Sequence, residues 1–573
     1  MRAFESLKTC GVLAVLGFAP GALAACANDY TCADYQTCVV DGAVLDGAVD
    51  VAHGDAKSDG SITKSDGGHD GATDGSGDAH VPDGGADVVQ GDSGKDAGCS
   101  SSLSPSTSPC VVTEEYGVFV APAKDGGSDA GAGTRTAPYA TIAEGIANAG
   151  TKRVYVCAAT YAESLVIGTA VDGVQVYGGF ACPGSDAGAP AWTYVSGTVA
   201  AVAPSAAGYA LDLESLAKGT HFEDMSFTAV AAMGSTGASS IAVLVNVSTG
   251  VSFTRVTSKA GSGAAGVSPG APVSNWCAAA GQVGQVGELV AAGGAGGGFG
   301  NCMCAVATGD SSRGGAGGSV DSAGNAGIAM PAAAGPGGGT GALGAASPGG
   351  SCSVVAGGAG ENGSSTTGGG AGGAGSVGSS GWVPAFAGAG LPGNPGQGGG
   401  GGGGDDLIGG AGGGAGGCGG NGGAGGGGGG ASLAFAVVGS AVTFNAVKLA
   451  PGTGGPGGAG ADGQAGQTGG NPGGSVVGCN GGPGGAGAGG GGGGGGAGGP
   501  SVGIAWHGGT TVLTVDGMVT MSATNLSGAS SFIQGMGGGA GAPGGPGTAA
   551  SGGNGGAGGT MGPAGTSSAI AQY

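Results

Sequence analysis

Positive charge is scarce in this chain. Only 14 of its 573 residues are Lys or Arg, against 36 Asp and Glu, which leaves a net charge of −22. The few cations form no run, so neither a phosphate-tracking stripe for nucleic acid nor a patch for anionic lipid can be assembled. Aromatic residues make up 5% and charged residues 9%. Collagen is excluded too, because 25 prolines are few for triple-helical chains of this length and no Gly-X-Y register is sustained. Glycine fills the space instead, at 154 residues. It loses more backbone freedom on ordering than any other residue, so better-patterned segments must supply the scaffold.

The N-terminus gives an address. Arg2 and Lys8 precede the apolar stretch "CGVLAVLGFA", followed by Pro20, Gly21 and small residues. This reads as a secretory signal, too short for a permanent membrane span. Its end, Leu23-Ala24-Ala25-Cys26, resembles the lipobox of bacterial lipoproteins, which implies lipidation of Cys26 as the first mature residue. The alternative is ordinary cleavage after Ala22-Leu23-Ala24 and secretion. The expected localisation is therefore export to the outer membrane or cell surface, with a membrane partner reached through lipid.

With Cys10 in the signal and Cys26 lipidated, twelve of the 14 cysteines remain. Proximity pairs Cys32 with Cys38, Cys99 with Cys110 and Cys157 with Cys182; Cys277, Cys302, Cys304, Cys352, Cys418 and Cys479 fall in glycine-rich sequence. Cys302-Met303-Cys304 lacks metal-ligand spacing and has no clustered His, so no metal site is expected. Residues 41–98 form an acidic Asp/Gly run without an aromatic or a Glu. Self-repulsion extends such a run, which suits a disordered tether; calcium loops need a bidentate Glu that it lacks.

The scaffold starts at Thr141, which with Glu144 forms a capping box ahead of a helix presenting Ile142, Ile146 and Ala149, stopped by Gly150. Strands "RVYVC" (153–157), "SLVI" (164–167) and "VQVYGGF" (174–180) follow. Pro138 to Ile142, then Thr160, Tyr161, Glu163 and Leu165, and the closing Tyr177-Gly178-Gly179-Phe180, resemble the start of pectin-lyase-like right-handed parallel β-helix proteins. The resemblance covers about residues 114–260 and implies fold, not activity.

Four segments then align on apolar pairs: Phe222 with Met225, Phe253 with Val256, Phe444 with Val447, and Val515 with Met518. Each follows another apolar strand, "YALDL", "IAVLV", "LAFAV" or "VGIAW". Short runs like these bury their faces only by stacking, as solenoid repeats do; a β-sandwich is the alternative, but hairpin turn signals are missing. The expected class is all-β, a right-handed parallel β-helix with an N-terminal capping helix and long glycine-rich insertions. Its expected divisions are a signal (1–25), a short Cys-containing N-terminus (26–40), the tether (41–98), first coils (99–260), an insert (261–430), a coil (431–451), an insert (452–499), a coil (500–527) and a glycine-rich C-terminal segment (528–573).

Glycine tracts begin after the same strand in successive repeats, near Gly261, Gly452 and Gly528, and so leave from one edge. In composition they are similar to the glycine-rich repeats of mycobacterial polymorphic GC-rich-sequence proteins, without that family's N-terminal domain. Two states are open to them: flexible loops, or polyproline-II-like helices hydrogen-bonded to each other. They are expected to be peripheral and removable at little cost in stability.

No catalytic site, cofactor or metal is expected. Glu223 and Asp516 share a column, but three strand steps of about 4.8 Å leave them roughly 14 Å apart, beyond an inverting carboxylate pair. Asp224 and Arg255 read as a surface ion pair, and His221 and His507 as isolated. The expected function is non-catalytic: a surface lipoprotein with a structural, adhesive or self-associating role through its glycine-rich face, contacting polysaccharide or other cell-surface material but not nucleic acid. A carbohydrate-binding or carbohydrate-active β-helix is the alternative, and ice binding a remote third.

Overall fold

The computed structural model describes residues 99–184, 190–288, 295–305, 310–330, 356–405, 408–474, 479–520, 526, 528–539, 541–542, 544–545 and 547–573, all within the compact unit Gly91–Tyr573. The signal, the short N-terminus and the acidic run, with Cys26, Cys32 and Cys38, lie outside the described residues.

Ile142–Asn148 is the only α-helix among the described residues, and it buries Ile142, Gly145 and Ile146. Thr141 Oγ1 accepts from the Glu144 amide at 3.2 Å. The other first-turn donors are taken by a residue distant in sequence: the Glu163 carboxylate accepts from Ile142 N at 2.7 Å and Ala143 N at 3.0 Å. Gly150 leaves the helix at φ +59°, the left-handed conformation that suits a glycine.

Three sheets carry the core. The first runs Gly117–Val120, Arg153–Cys157, Gln175–Phe180, His221–Glu223, Val251–Thr254, Ala441–Asn445 and Val512–Val515, all parallel, and ends on the antiparallel Met518–Val519. The second, wholly parallel, runs Leu165–Ile167, Leu211–Glu214, Ser240–Asn246, Ser432–Val438, Ser501–His507 and Ser567–Gln572. The third, also parallel, runs Thr160–Tyr161, Ala200–Val202, Met225–Thr228, Thr257–Lys259, Lys448–Ala450 and Ser531–Phe532.

The apolar column read from sequence is a register line: Phe222 pairs with Phe253, Phe253 with Phe444, and Phe444 with Val515. Phe222 and Phe253 stack with centroids 5.4 Å apart, and Phe253 and Phe444 at 5.7 Å. Phe435 of the second sheet meets Phe253 edge-on at 4.9 Å, joining two sheets across the core. Such aromatic pairs contribute about 0.5–1.5 kcal/mol beyond their burial.

The expected class is corrected by this topology. Among the described residues, three mostly parallel sheets accompanied by one α-helix make an α/β-type fold, not a closed all-β solenoid. The physical break lies at the corners. Asp224, Arg255, Ala446 and Asp516 adopt left-handed φ values of 54°, 52°, 52° and 46° directly after strands of the first sheet. Ser215, Val247, Gly439 and Gly508 do the same after strands of the second. A left-handed residue turns the backbone out of the pleat, so each strand ends there and the next begins in another sheet, although corner amides such as those of Asp224 and Arg255 still donate to Thr254 and Asn445.

Candidate functional site

Strands of the third sheet feed the glycine tracts, and the tracts return as strands of the second sheet: Thr257–Lys259, Lys448–Ala450 and Ser531–Phe532 lead out, while Ser432–Val438, Ser501–His507 and Ser567–Gln572 lead back. Between these points the tracts are ordered. In 482–499 the amides of Gly482, Gly485, Ala488, Gly491 and Gly494 donate to 388–400. Those of Gly484, Gly487, Gly490, Gly493, Gly496 and Gly499 donate to 455–470, and those of Gly489, Gly492, Gly495 and Gly498 to 554–563. Carbonyls of the same tract accept from 357–372, from 414–429, and from Gly538, Gly541, Gly544 and Gly547. Every one of these bonds measures 2.8–3.0 Å. A donor direction that recurs every third residue is the signature of a threefold, polyproline-II-like helix.

The central helix is thus hydrogen-bonded to all six neighbours, and those neighbours are bonded to each other around the ring, as Gly390 N to Gly423 O, Gly458 N to Gly427 O, Gly460 N to Ala542 O, Gly556 N to Gly547 O, Thr560 N to Gly369 O and Gln397 N to Glu361 O show. At many interior positions glycine is a steric requirement: a β-carbon on Gly493 would overlap the carbonyl oxygen of Ala424, and one on Gly490 that of Asn421, while the buried Ala488 marks a position with room for a methyl. Each interior residue takes part in two hydrogen bonds, each shared with a neighbouring helix, so about one bond of net roughly 0.5–1.5 kcal/mol stands against an entropy loss of about 1–2 kcal/mol, close to a balance. Side chains tip it. Val377 and Trp382 pack with Ile241, Leu433, Ala436, Val502 and Ala505 on the second sheet, so the lattice shares a core with the scaffold. The expectation that the tracts are peripheral is corrected accordingly.

One side of the lattice is open. Helix 554–563 stands between 357–372 and the helix of Gly538, Gly541, Gly544 and Gly547, and it exposes Asn554, Ala557, Thr560, Met561 and Pro563. From Gly517 to Tyr573 the sequence has no Asp, Glu, Lys or Arg. In a chain of net charge −22, helix 554–563 is itself an uncharged ridge with Met561 exposed on it, flanked by the exposed Glu361 of 357–372 and by Asp462, whose carboxylate accepts from Gly545 N.

The polar residues singled out from sequence are placed otherwise. Glu223 is 5% exposed and saturated: Oε1 accepts from Ser104 Oγ at 2.7 Å, from Ser106 Oγ at 3.0 Å and from the Arg255 guanidinium, and Oε2 bonds His221 Nε2 at 3.1 Å. Burial pushes its pKa up, but bonds from His221 and Ser104 and the Arg255 charge outweigh it and hold the carboxyl down at about 2. His221, expected to be isolated, also contacts Ser252 Oγ through Nδ1 at 2.8 Å. Asp224, expected at the surface, is buried and forms a two-point pair with Arg255 Nε and Nη2, both at 2.9 Å. Asp516 is spent on a corner: it accepts from Ala446 N at 2.8 Å and from Ser530 N at 2.7 Å and Oγ at 2.9 Å. His507 Nδ1 meets the Tyr573 carbonyl. Glu223 and Asp516 therefore serve separate local networks and do not converge.

Cys99 is bonded to Cys110 and Cys157 to Cys182; two further disulfides, Cys277–Cys302 and Cys304–Cys418, lie inside the glycine lattice. Cys352 lies outside the described residues. Among the described residues no helix is long and apolar enough to cross a membrane. Comparison with known proteins gives no match: no family, no curated protein and no solved structure is similar to this chain.

Proposed function

We propose that this protein is a non-catalytic, surface-tethered lipoprotein whose uncharged glycine ridge makes structural contacts, foremost with a second copy of the same chain. The observation that carries the reading is the contrast in charge. Of the net charge of −22, residues 1–98 carry −11 (5 Lys and Arg against 16 Asp and Glu) and residues 99–573 the other −11 (9 against 20), so two copies repel, whereas helix 554–563 carries no charged side chain and is held by hydrogen bonds from three sides. The same patch on both copies allows a twofold, self-complementary contact. The titratable cluster around Glu223 supports a structural role, because its oxygens are consumed by internal partners.

Sedimentation of the mature chain over a range of concentration tests this, with Ala557→Asp combined with Met561→Asp as comparison. Self-association that the double variant abolishes is the expected result. A wild type that stays monomeric but binds polysaccharide would sink the reading and favour a carbohydrate-binding protein.

A further inference from the structure

Two disulfides of the glycine lattice lie against each other. Cys277 is bonded to Cys302 and Cys304 to Cys418, and the non-bonded Sγ atoms of Cys302 and Cys418 are 3.3 Å apart. Burial divides the four unequally. Cys302 and Cys418 are fully buried, whereas Cys277 and Cys304 are partly exposed. Polar groups surround the buried sulfurs: Gln282 Nε2 approaches Cys302 Sγ at 3.7 Å, and Gln467 Oε1 accepts from Cys277 N at 3.0 Å and Cys418 N at 3.4 Å. Gln467 Nε2 donates to Cys277 O at 2.8 Å and so ties the outer cysteine to the inner pair.

We infer that this cluster is a thiol–disulfide exchange site, in which a soluble dithiol reduces one bond and the remaining bond migrates inward to join Cys302 and Cys418. The dithiol's thiolate attacks the accessible Cys304 Sγ. The Cys304–Cys418 bond breaks and its electron pair leaves on Cys418 Sγ. That thiolate, already beside Cys302 Sγ, forms the Cys302–Cys418 bond and expels Cys277 as a thiolate, which takes up a proton. The second thiol of the reagent resolves the mixed disulfide on Cys304, so two electrons and two protons pass from the dithiol to Cys277 and Cys304. Entry at Cys277 gives the same end state, because the Cys302 thiolate then attacks Cys418 and expels Cys304. Both routes keep a buried cross-link between the strand Asn301–Met303 and the tract 408–430 while releasing two accessible thiols.

Dithiothreitol is added to the folded mature protein until half of the cluster cysteine reacts with iodoacetamide after acid quenching, and peptides are mapped without further reduction. The expected map shows label on Cys277 and Cys304 together with a Cys302–Cys418 linked peptide. Label on Cys304 and Cys418 with Cys277–Cys302 intact, or on Cys277 and Cys302 with Cys304–Cys418 intact, would overturn the inference. The double variant Cys277→Ser, Cys304→Ser gives a second readout: with oxidised glutathione supplied as the two-electron oxidant it should form the Cys302–Cys418 bond, and two persistent thiols there would equally contradict exchange.

Discussion

Gly493 rests against the carbonyl of Ala424 so closely that a β-carbon on residue 493 would overlap its oxygen. That contact states the logic of the lattice: the amide of Gly493 donates to Ala461 and its carbonyl accepts from Gly544, and no side chain fits between the helices that carry them.

Position should therefore decide what an added methyl does. Gly493→Ala should destabilise by about 1–3 kcal/mol through forced backbone shifts. Gly539→Ala, where nothing lies within 4 Å of the added atom, should be neutral or stabilise by roughly 0.4–1 kcal/mol through the unfolded chain. Thermal or denaturant unfolding of the two variants side by side checks this.

Acid unfolding reports on Glu223. Its carboxyl, held down at about 2 from an ordinary 4.5, stabilises the fold fully above pH 4.5, and that stability is lost as pH falls towards 2. Glu223→Gln should lose on the order of 3 kcal/mol at pH 7, with the gap to wild type closing in strong acid. Denaturant titrations at pH 7 and near pH 2 would show it; an unchanged gap would mean that packing, not charge, is responsible.

Asp212 behaves in the opposite sense. Burial, reinforced by the Glu214 charge, lifts its pKa from 3.8 to about 6, and its Oδ1 is buried without a hydrogen-bond partner. The folded state holds that proton more tightly, so stability falls as pH rises from 3.8 through about 6. Asp212→Asn should gain about 1 kcal/mol at pH 7, allowing for partial solvent screening, and little below pH 4. Melting curves at both pH values decide it.

The proposed tether predicts its own loss. Cys26→Ser should abolish incorporation of a fatty-acid analogue and release the protein from the membrane fraction. An unlabelled wild type, or a Ser variant that stays membrane-bound, would remove the lipid anchor from the account.

Local chemistry was legible in the sequence where side chains carry periodicity. The helix Ile142–Asn148 follows from Thr141, its apolar face and Gly150, and the Phe222, Phe253 and Phe444 column follows from repeated spacing. An apolar repeat overstates the class, because it does not show that strands end and the chain changes sheet at left-handed corners such as Asp224 and Arg255. Long-range partners were hidden. Ser104 and Ser106 reach Glu223 from 119 and 117 residues away, and no local pattern marks them. Glu163, noted only for its place in a motif, proves to hold the helix N-terminus. Within the tracts the register is illegible for a simpler reason: a run of glycines has no side chain with which to announce its neighbour, and residues such as Cys418, Gln282 and Gln467 break that uniformity where the two lattice disulfides meet.

Amide hydrogen exchange resolved by mass spectrometry over 482–499 is the most direct measurement of the lattice. If this tract is the centre of a hydrogen-bonded bundle, its amides should exchange as slowly as those of the neighbouring strand Ser501–His507, with the outer tract 554–563 exchanging faster. Exchange of 482–499 at the rate of an unstructured peptide would contradict the bundle and, with it, the rigid ridge on which the proposed contact depends.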